Sequence, residues 1–247
     1  MQVAIQLYTV RDKTAEDMLD TIAQLGAIGY QAVEFAGYGS SEPRAIREAL
    51  DQAGIAGVAA HVPLARIDDE FDTVVEEMHI IGVKHLVIPW LPPEQRTAAG
   101  FDHVIDTLNK RAAEARDAGL RLGYHNHDFE FIKDENGIFP FDRIADGTDP
   151  SLVSLEIDAG WVQYAGQDPV AVIEQYAGRV PLIHAKEEQV DGVDDLPAPG
   201  SGPMPWKAIV AAANASGAEY LIAEDDKPLD SIKTAAAAYE NLSRLVS

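Results

Sequence analysis

Four segments in the second half of the chain end in residue types that bind metals or move protons. They are Gly123-Tyr124-His125-Asn126-His127, Leu155-Glu156-Ile157-Asp158, Ile183-His184-Ala185-Lys186-Glu187 and Ile222-Ala223-Glu224-Asp225-Asp226. Each begins as a short apolar run of strand type. Side chains alternate between faces along a strand, so His125 shares a face with His127, Glu156 with Asp158, and His184 with Lys186. Taken together these ends offer His125, Asp158, His184 and Glu224 as a ligand set. Two imidazoles and two carboxylates suit one divalent ion of the Mn²⁺, Zn²⁺, Fe²⁺ or Co²⁺ kind, with Mg²⁺ as a further candidate, better than Ca²⁺.

Structural roles compete for the same residues. A lone histidine at a strand end is often a hydrogen-bonding group of the core. Acidic residues after strands commonly cap the next helix, a role open to Asp225 and Asp226. Glu34 and Glu156 are also open to service as buried partners of Arg or Lys. The weight lies on the repetition across four strand ends, not on any one of them.

The elements that would position these residues alternate along the whole chain. Strand-like runs occur at Val3 to Tyr8, Ala32 to Phe35, Gly57 to His61, His85 to Pro89, Leu120 to Asn126, Val153 to Asp158, Leu182 to Lys186 and Tyr220 to Glu224. Between them lie helical patterns. Thr14 is placed to cap one that carries Met18, Ile22 and Leu25. Ser41 and Pro43 open another with Ile46 and Leu50 on one face. Further patterns run through Phe71 to Met78, Val104 to Ala115, Val172 to Tyr176 after Asp168-Pro169, Trp206 to Ala213, and Ile232 to Leu242. The stretch from Phe129 to Pro150 is less regular, with a short helix expected near Phe141 to Ile144. Repeated strand-then-helix units imply a parallel sheet, and eight of them can close into a barrel whose active site lies at the C-terminal strand ends. No Gly-x-Gly-x-x-Gly turn follows the first strand, against a dinucleotide site. No low-complexity linker divides the chain, so the expectation is an α/β protein with a single (β/α)₈ TIM barrel over residues 1–247.

Composition narrows the partners. The 247 residues, 47% hydrophobic and 24% charged, suit a soluble globular protein. A net charge of −22, from 41 acidic and 19 basic residues, repels phosphate backbones and acidic membranes. No basic stripe offsets it, so neither nucleic acid nor membrane is expected as a partner. The absence of cysteine excludes disulfides, thiolate ligands and a cysteine nucleophile. With no basic segment before an apolar run and no run of spanning length, a cytoplasmic protein is expected.

The chain resembles the xylose isomerase-like, or sugar phosphate isomerase/epimerase, superfamily of TIM barrels. The group includes inosose isomerases and dehydratases, ketose 3-epimerases and, more distantly, endonuclease IV. The resemblance runs from Ile5-Gln6-Leu7-Tyr8-Thr9-Val10-Arg11-Asp12 through Gly29-Tyr30-Gln31-Ala32-Val33-Glu34 and Tyr124-His125-Asn126-His127. It ends with Glu156-Ile157-Asp158-Ala159-Gly160-Trp161, His184-Ala185-Lys186-Glu187 and Glu224. It implies a metal set of Glu, Asp, His and Glu from the last four strands. Asp158, His184 and Glu224 match the last three, while His125 stands where the first Glu is usual. No phosphate-cradling glycine loop with nearby Lys or Arg is evident, although Gly200-Ser201-Gly202 follows the seventh strand.

That departure bears on the reaction. Ketose 3-epimerases work with two opposed carboxylates, from the fifth and eighth strands. With His125 in the first place, Glu224 is left as the obvious carboxylate base. Lys186, His127 or Glu130 would then hand a proton to the departing or receiving oxygen. Glu130, Trp161, Trp90 and His61 are the expected substrate contacts. Ordinary rim packing is the competing role for the two tryptophans. The resemblance implies a metal-dependent sugar isomerase or epimerase that removes the proton α to the carbonyl of a keto sugar or keto-cyclitol. A dehydratase or a 3-keto-glycoside lyase would use the same abstraction. An endonuclease IV-like nuclease and a sugar-binding barrel without catalysis are the readings of another class. The expected partner is a small sugar or cyclitol, and a homo-oligomer is left open.

Overall fold

Runs of β-branched and apolar residues four to six long are too short for core helices, and in the computed structural model they form parallel strands. The structure describes residues 1–193 and 196–247. Among them the strands are β1 (Gln2–Gln6), β2 (Ala32–Phe35), β3 (Ala56–His61), β4 (His85–Ile88), β5 (Arg121–His125), β6 (Val153–Asp158), β7 (Leu182–Ala185) and β8 (Tyr220–Ala223). They pair in chain order, and β8 closes on β1 to make a barrel. This is the expected (β/α)₈ architecture. Pro89, Asn126, Lys186 and Glu224 lie just beyond their strands, in the loops of the C-terminal rim, and Tyr8 lies in the short 3₁₀ helix Leu7–Val10 that follows β1.

The surrounding helices are α1 (Arg11–Ile28), α2 (Pro43–Ala53), α3 (Leu64–Asp69), α4 (Phe71–Ile81), α5 (Ala98–Asp117), α6 (Pro140–Gly147), α7 (Ala159–Tyr164), α8 (Pro169–Gln175), α9 (Trp206–Ala215) and α10 (Ser231–Val246). Capping explains several starts. Asp168 accepts from the Val170 amide and opens α8 as expected, and Thr97 accepts from Gly100 at the start of α5. The cap expected at Thr14 is corrected. Thr14 lies inside α1, and the break falls at Asp17, whose backbone is extended (φ −156°, ψ 103°). The Asp17 carboxylate accepts from the amides of Leu19 and Asp20, both at 3.0 Å. Aspartate is as good a cap as threonine, and here it sits nearer the apolar stripe of Met18, Ile22 and Leu25. Ser41 likewise lies outside α2, where Pro43 takes the first helical position and Glu42 precedes it.

Inward positions change character along each strand. Ala4, Ala32, Leu182 and Ile222 belong to an apolar cluster. Two residues further along the same strands, on the same face, come Gln6, Glu34, His184 and Glu224, all buried. The barrel is therefore apolar below and polar towards its C-terminal rim. Outward residues such as Ile5, Val33, Leu122, Leu155 and Ile183 pack in the larger core under the helices. Among the described residues, no helix is long and apolar enough to cross a membrane.

Candidate metal and catalytic site

Asp158 ends β6 and opens α7. Its Oδ1 accepts from the Trp161 amide at 2.9 Å, so the helix start fixes the carboxylate and leaves Oδ2 over the barrel mouth. Asn126 fixes the backbone beneath it, accepting from the Asp158 amide at 3.0 Å and donating to the Asp158 carbonyl at 3.3 Å. Asp158 Oδ2 is buried and accepts no hydrogen bond, and its nearest charge is Lys186 Nζ at 3.2 Å. The His184 Nδ1 nitrogen lies 3.9 Å from that oxygen and 2.8 Å from Glu224 Oε2. Asp158, His184 and Glu224 thus converge within 4.8 Å of one another. One imidazole nitrogen and two carboxylates, one of them with an orphaned buried oxygen, fit a borderline divalent ion.

His125 stands differently. Its Nδ1 lies 2.9 Å from Glu156 Oε2, and it gathers with His61, Glu156 and His184 in an adjoining cluster that shares His184 with the first. Glu34 and Glu156, open in sequence to a role as partners of Arg or Lys, have imidazole partners instead. Glu34 Oε2 is 2.6 Å from His184 Nε2, and Glu156 Oε2 is 2.7 Å from His61 Nε2.

Lys186 is a buried ammonium among carboxylates. Its Nζ lies 2.9 Å from Glu224, 3.2 Å from Asp158 and 2.9 Å from Asp226. Burial works against its charge, but these three anions outweigh that and hold its pKa well above the ordinary lysine value. Burial also opposes the Glu224 anion, yet Lys186 and His184 keep it ionised, well below the usual carboxylate range. Asp158 is pushed up to about 6, chiefly by burial, with Lys186 pulling the other way. Burial pushes His127 well below its usual value, with His125 adding to the effect, so its imidazole is neutral.

A cavity of about 660 Å³ opens above these groups. Its lining includes His61, Trp90, His125, His127, Lys186 and Glu224, all expected site residues, together with Tyr8, Arg11 and Asp226. Arg11 is held at the mouth by the carbonyls of Tyr8 and Asp226, at 2.8 and 2.6 Å. Trp161 stands behind the lining, its ring 5.5 Å from that of His127 and 5.1 Å from Lys186 Nζ. Glu130 is the expected contact that the structure places elsewhere. It is fully buried behind β5, where it accepts from the Tyr124 hydroxyl at 2.6 Å and the His127 amide at 2.8 Å. Burial pushes its pKa up to about 7. The amides of Gly200 and Gly202 are occupied as well, both donating to Glu187 Oε1 at 3.0 Å. A carboxylate of the chain itself thus fills the place a phosphate would take. Asp226, read in the sequence as open to a capping role, and Arg11, not singled out as a site residue there, meet across the closure between β8 and β1.

A family model for the xylose isomerase-like TIM barrel matches residues 22–244. An inosose dehydratase of Geobacillus kaustophilus (strain HTA426) is 28% identical over 193 residues, which cover 69% of this chain and 62% of that protein. An inosose dehydratase of Clostridium beijerinckii (strain ATCC 51743 / NCIMB 8052) is 33% identical over 91 residues, 37% of this chain and 30% of that one. The chain thus matches less than two thirds of the length of these curated relatives. Among solved structures, a sugar phosphate isomerase/epimerase from Parabacteroides distasonis ATCC 8503 superposes with a TM-score of 0.80 at 23% identity, covering 99% of this chain and 95% of that one. At that identity the likeness speaks for the fold.

Proposed function

Because the chain belongs to the xylose isomerase-like TIM barrel family, we propose that it removes the proton α to the carbonyl of a keto sugar or keto-cyclitol and then expels water. Asp158, His184 and Glu224 would hold a divalent ion, with His125 beside them. When bound, such an ion supplies Lewis-acid polarisation of the carbonyl oxygen. Glu224, kept ionised, takes the α-proton. The electron pair left on carbon forms the new double bond as the β-hydroxyl departs, and the Lys186 ammonium gives that oxygen its proton.

The observation that favours elimination over epimerisation is where the carboxylates stand. The described carboxylates lining the cavity are Glu224 and Asp226, both on the β8 side, while the β5 side presents His125 and His127. Inversion by two opposed carboxylates lacks its second member. The inosose dehydratases among the relatives agree with this reading. The test is to incubate Mn²⁺-supplemented protein with a panel of keto-cyclitols and keto sugars and to weigh the products. A product lighter by one water is expected. A product of unchanged mass with one inverted centre would replace elimination by epimerisation.

A further inference from the structure

We infer that Glu34 and Glu156 are positioning residues, Glu34 aiming the His184 imidazole at the metal ion and Glu156 fixing the His125 imidazole beside it; the inference rests on the metal-centre reading above. An ionised carboxylate can only accept, so an imidazole nitrogen that faces one carries a proton. His184 Nε2 lies 2.6 Å from Glu34 Oε2, and its Nδ1 faces Glu224 and Asp158. Nδ1 thus has a carboxylate partner of its own, and the Glu34 bond ensures that Nε2 keeps its proton when an ion displaces the one on Nδ1. His125 repeats the arrangement in mirror order: Nδ1 lies 2.9 Å from Glu156 Oε2, which frees Nε2. His61 ties the two carboxylates together, its Nε2 lying 2.7 Å from Glu156 and 3.4 Å from Glu34.

Two neighbouring carboxylates with relative exposures of 0% and 1% are an expensive way to fill a barrel. One pleat lower, β2 fills it with the apolar Ala32. Glu34 Oε1 and Glu156 Oε1 accept no hydrogen bond, while Oε2 of each meets imidazole nitrogen. A carboxylate behind a metal-ligating histidine fixes the tautomer and ring orientation and makes the imidazole a stronger donor. The rival reading makes His61, His125, Glu156 and His184 a second ion site, since their donor atoms also lie within 4.8 Å of one another. It would require His184 to ligate through both nitrogens.

Calorimetric titration of metal-stripped protein with MnCl₂ separates these readings, with Co²⁺ absorption as the report on coordination. Wild type is expected to bind one equivalent. Glu34→Gln and Glu156→Gln are each expected to bind about 10–100-fold more weakly, with a changed Co²⁺ spectrum and an unchanged far-ultraviolet circular dichroism spectrum in chelator. Unchanged affinity and Co²⁺ spectrum in both variants would overturn the positioning role. So would two equivalents bound by wild type and one by Glu156→Gln, which would make Glu156 a ligand. Absence of any binding by wild type would instead remove the metal centre itself.

Discussion

Lys186 Nζ lies 2.9 Å from Glu224 Oε2, inside the barrel mouth and out of contact with bulk water. The ammonium and the carboxylate hold each other in the charged forms that elimination needs, a proton on one and none on the other. The same ammonium reaches Asp158 and Asp226, so a single cation faces a cluster of three carboxylates.

Replacing that cation should expose its role. Lys186→Met would leave Asp158, Glu224 and Asp226 buried without a counter-charge, and a loss of about 3–5 kcal/mol is expected in the presence of chelator. Mn²⁺ binds the folded form, so it should raise the thermal midpoint of the variant by more than that of wild type. Equal midpoints for the two proteins in chelator would refute the counter-charge role.

Glu130 gives a pH test away from the proposed ligands. Its folded pKa of about 7 lies above the ordinary 4.5, so between those values the folded state binds the extra proton. Its contribution is present in full below about 4.5 and is lost as pH rises through about 7. Glu130→Gln keeps an acceptor for the His127 amide and removes the titration. The stability of the variant relative to wild type should therefore improve from pH 5 to pH 8 in urea melts. A pH-independent difference would show that burial of this carboxyl does not govern its ionisation.

Asn126 is tied to both backbone groups of Asp158 and is fully buried. Asn126→Ala should cost about 1–3 kcal/mol, the usual penalty for stranded buried polar groups. It should also weaken Mn²⁺ binding, because the Asp158 carboxylate loses its fixed base. Unaltered Mn²⁺ affinity would mean that the α7 cap alone positions Asp158.

Trp90 is 44% exposed on the cavity lining. Trp90→Ala should change stability by less than about 0.5 kcal/mol, as surface substitutions do, while raising KM for the keto substrate. An unchanged KM would assign Trp90 to rim packing with Arg96, whose guanidinium lies 5.2 Å from its ring.

The barrel was legible in the sequence because period-2 and period-3.6 patterns are local, and eight alternations leave few closed topologies. Asp158, His184 and Glu224 were legible for the same reason: strand-end position and parity place a side chain at the rim. The partners of Glu34 were not. Glu34 meets His184, 150 positions away, only because the barrel closes across its own interior. Nothing local tells a carboxylate that waits for Arg or Lys from one that grips an imidazole. Glu130 was misplaced by a turn. The chain coils back at Phe129–Phe131 and brings its side chain under Tyr124 rather than into the cavity. Helix α7 went unseen because Asp158, its cap, had already been assigned to the metal.

The most direct measurement is deuterium exchange in the recovered substrate and product, with Mn²⁺-loaded wild type and Glu224→Gln compared side by side in D₂O. Wild type is expected to place solvent deuterium at the carbon α to the carbonyl and to release water. Glu224→Gln is expected to do so about 10²–10⁴-fold more slowly at Mn²⁺ concentrations raised until its site is filled, since the substitution also removes a proposed ligand. Exchange in the variant at the wild-type rate would contradict proton abstraction by Glu224, and no exchange by wild type across the keto-cyclitol and keto-sugar panel would contradict α-proton chemistry altogether.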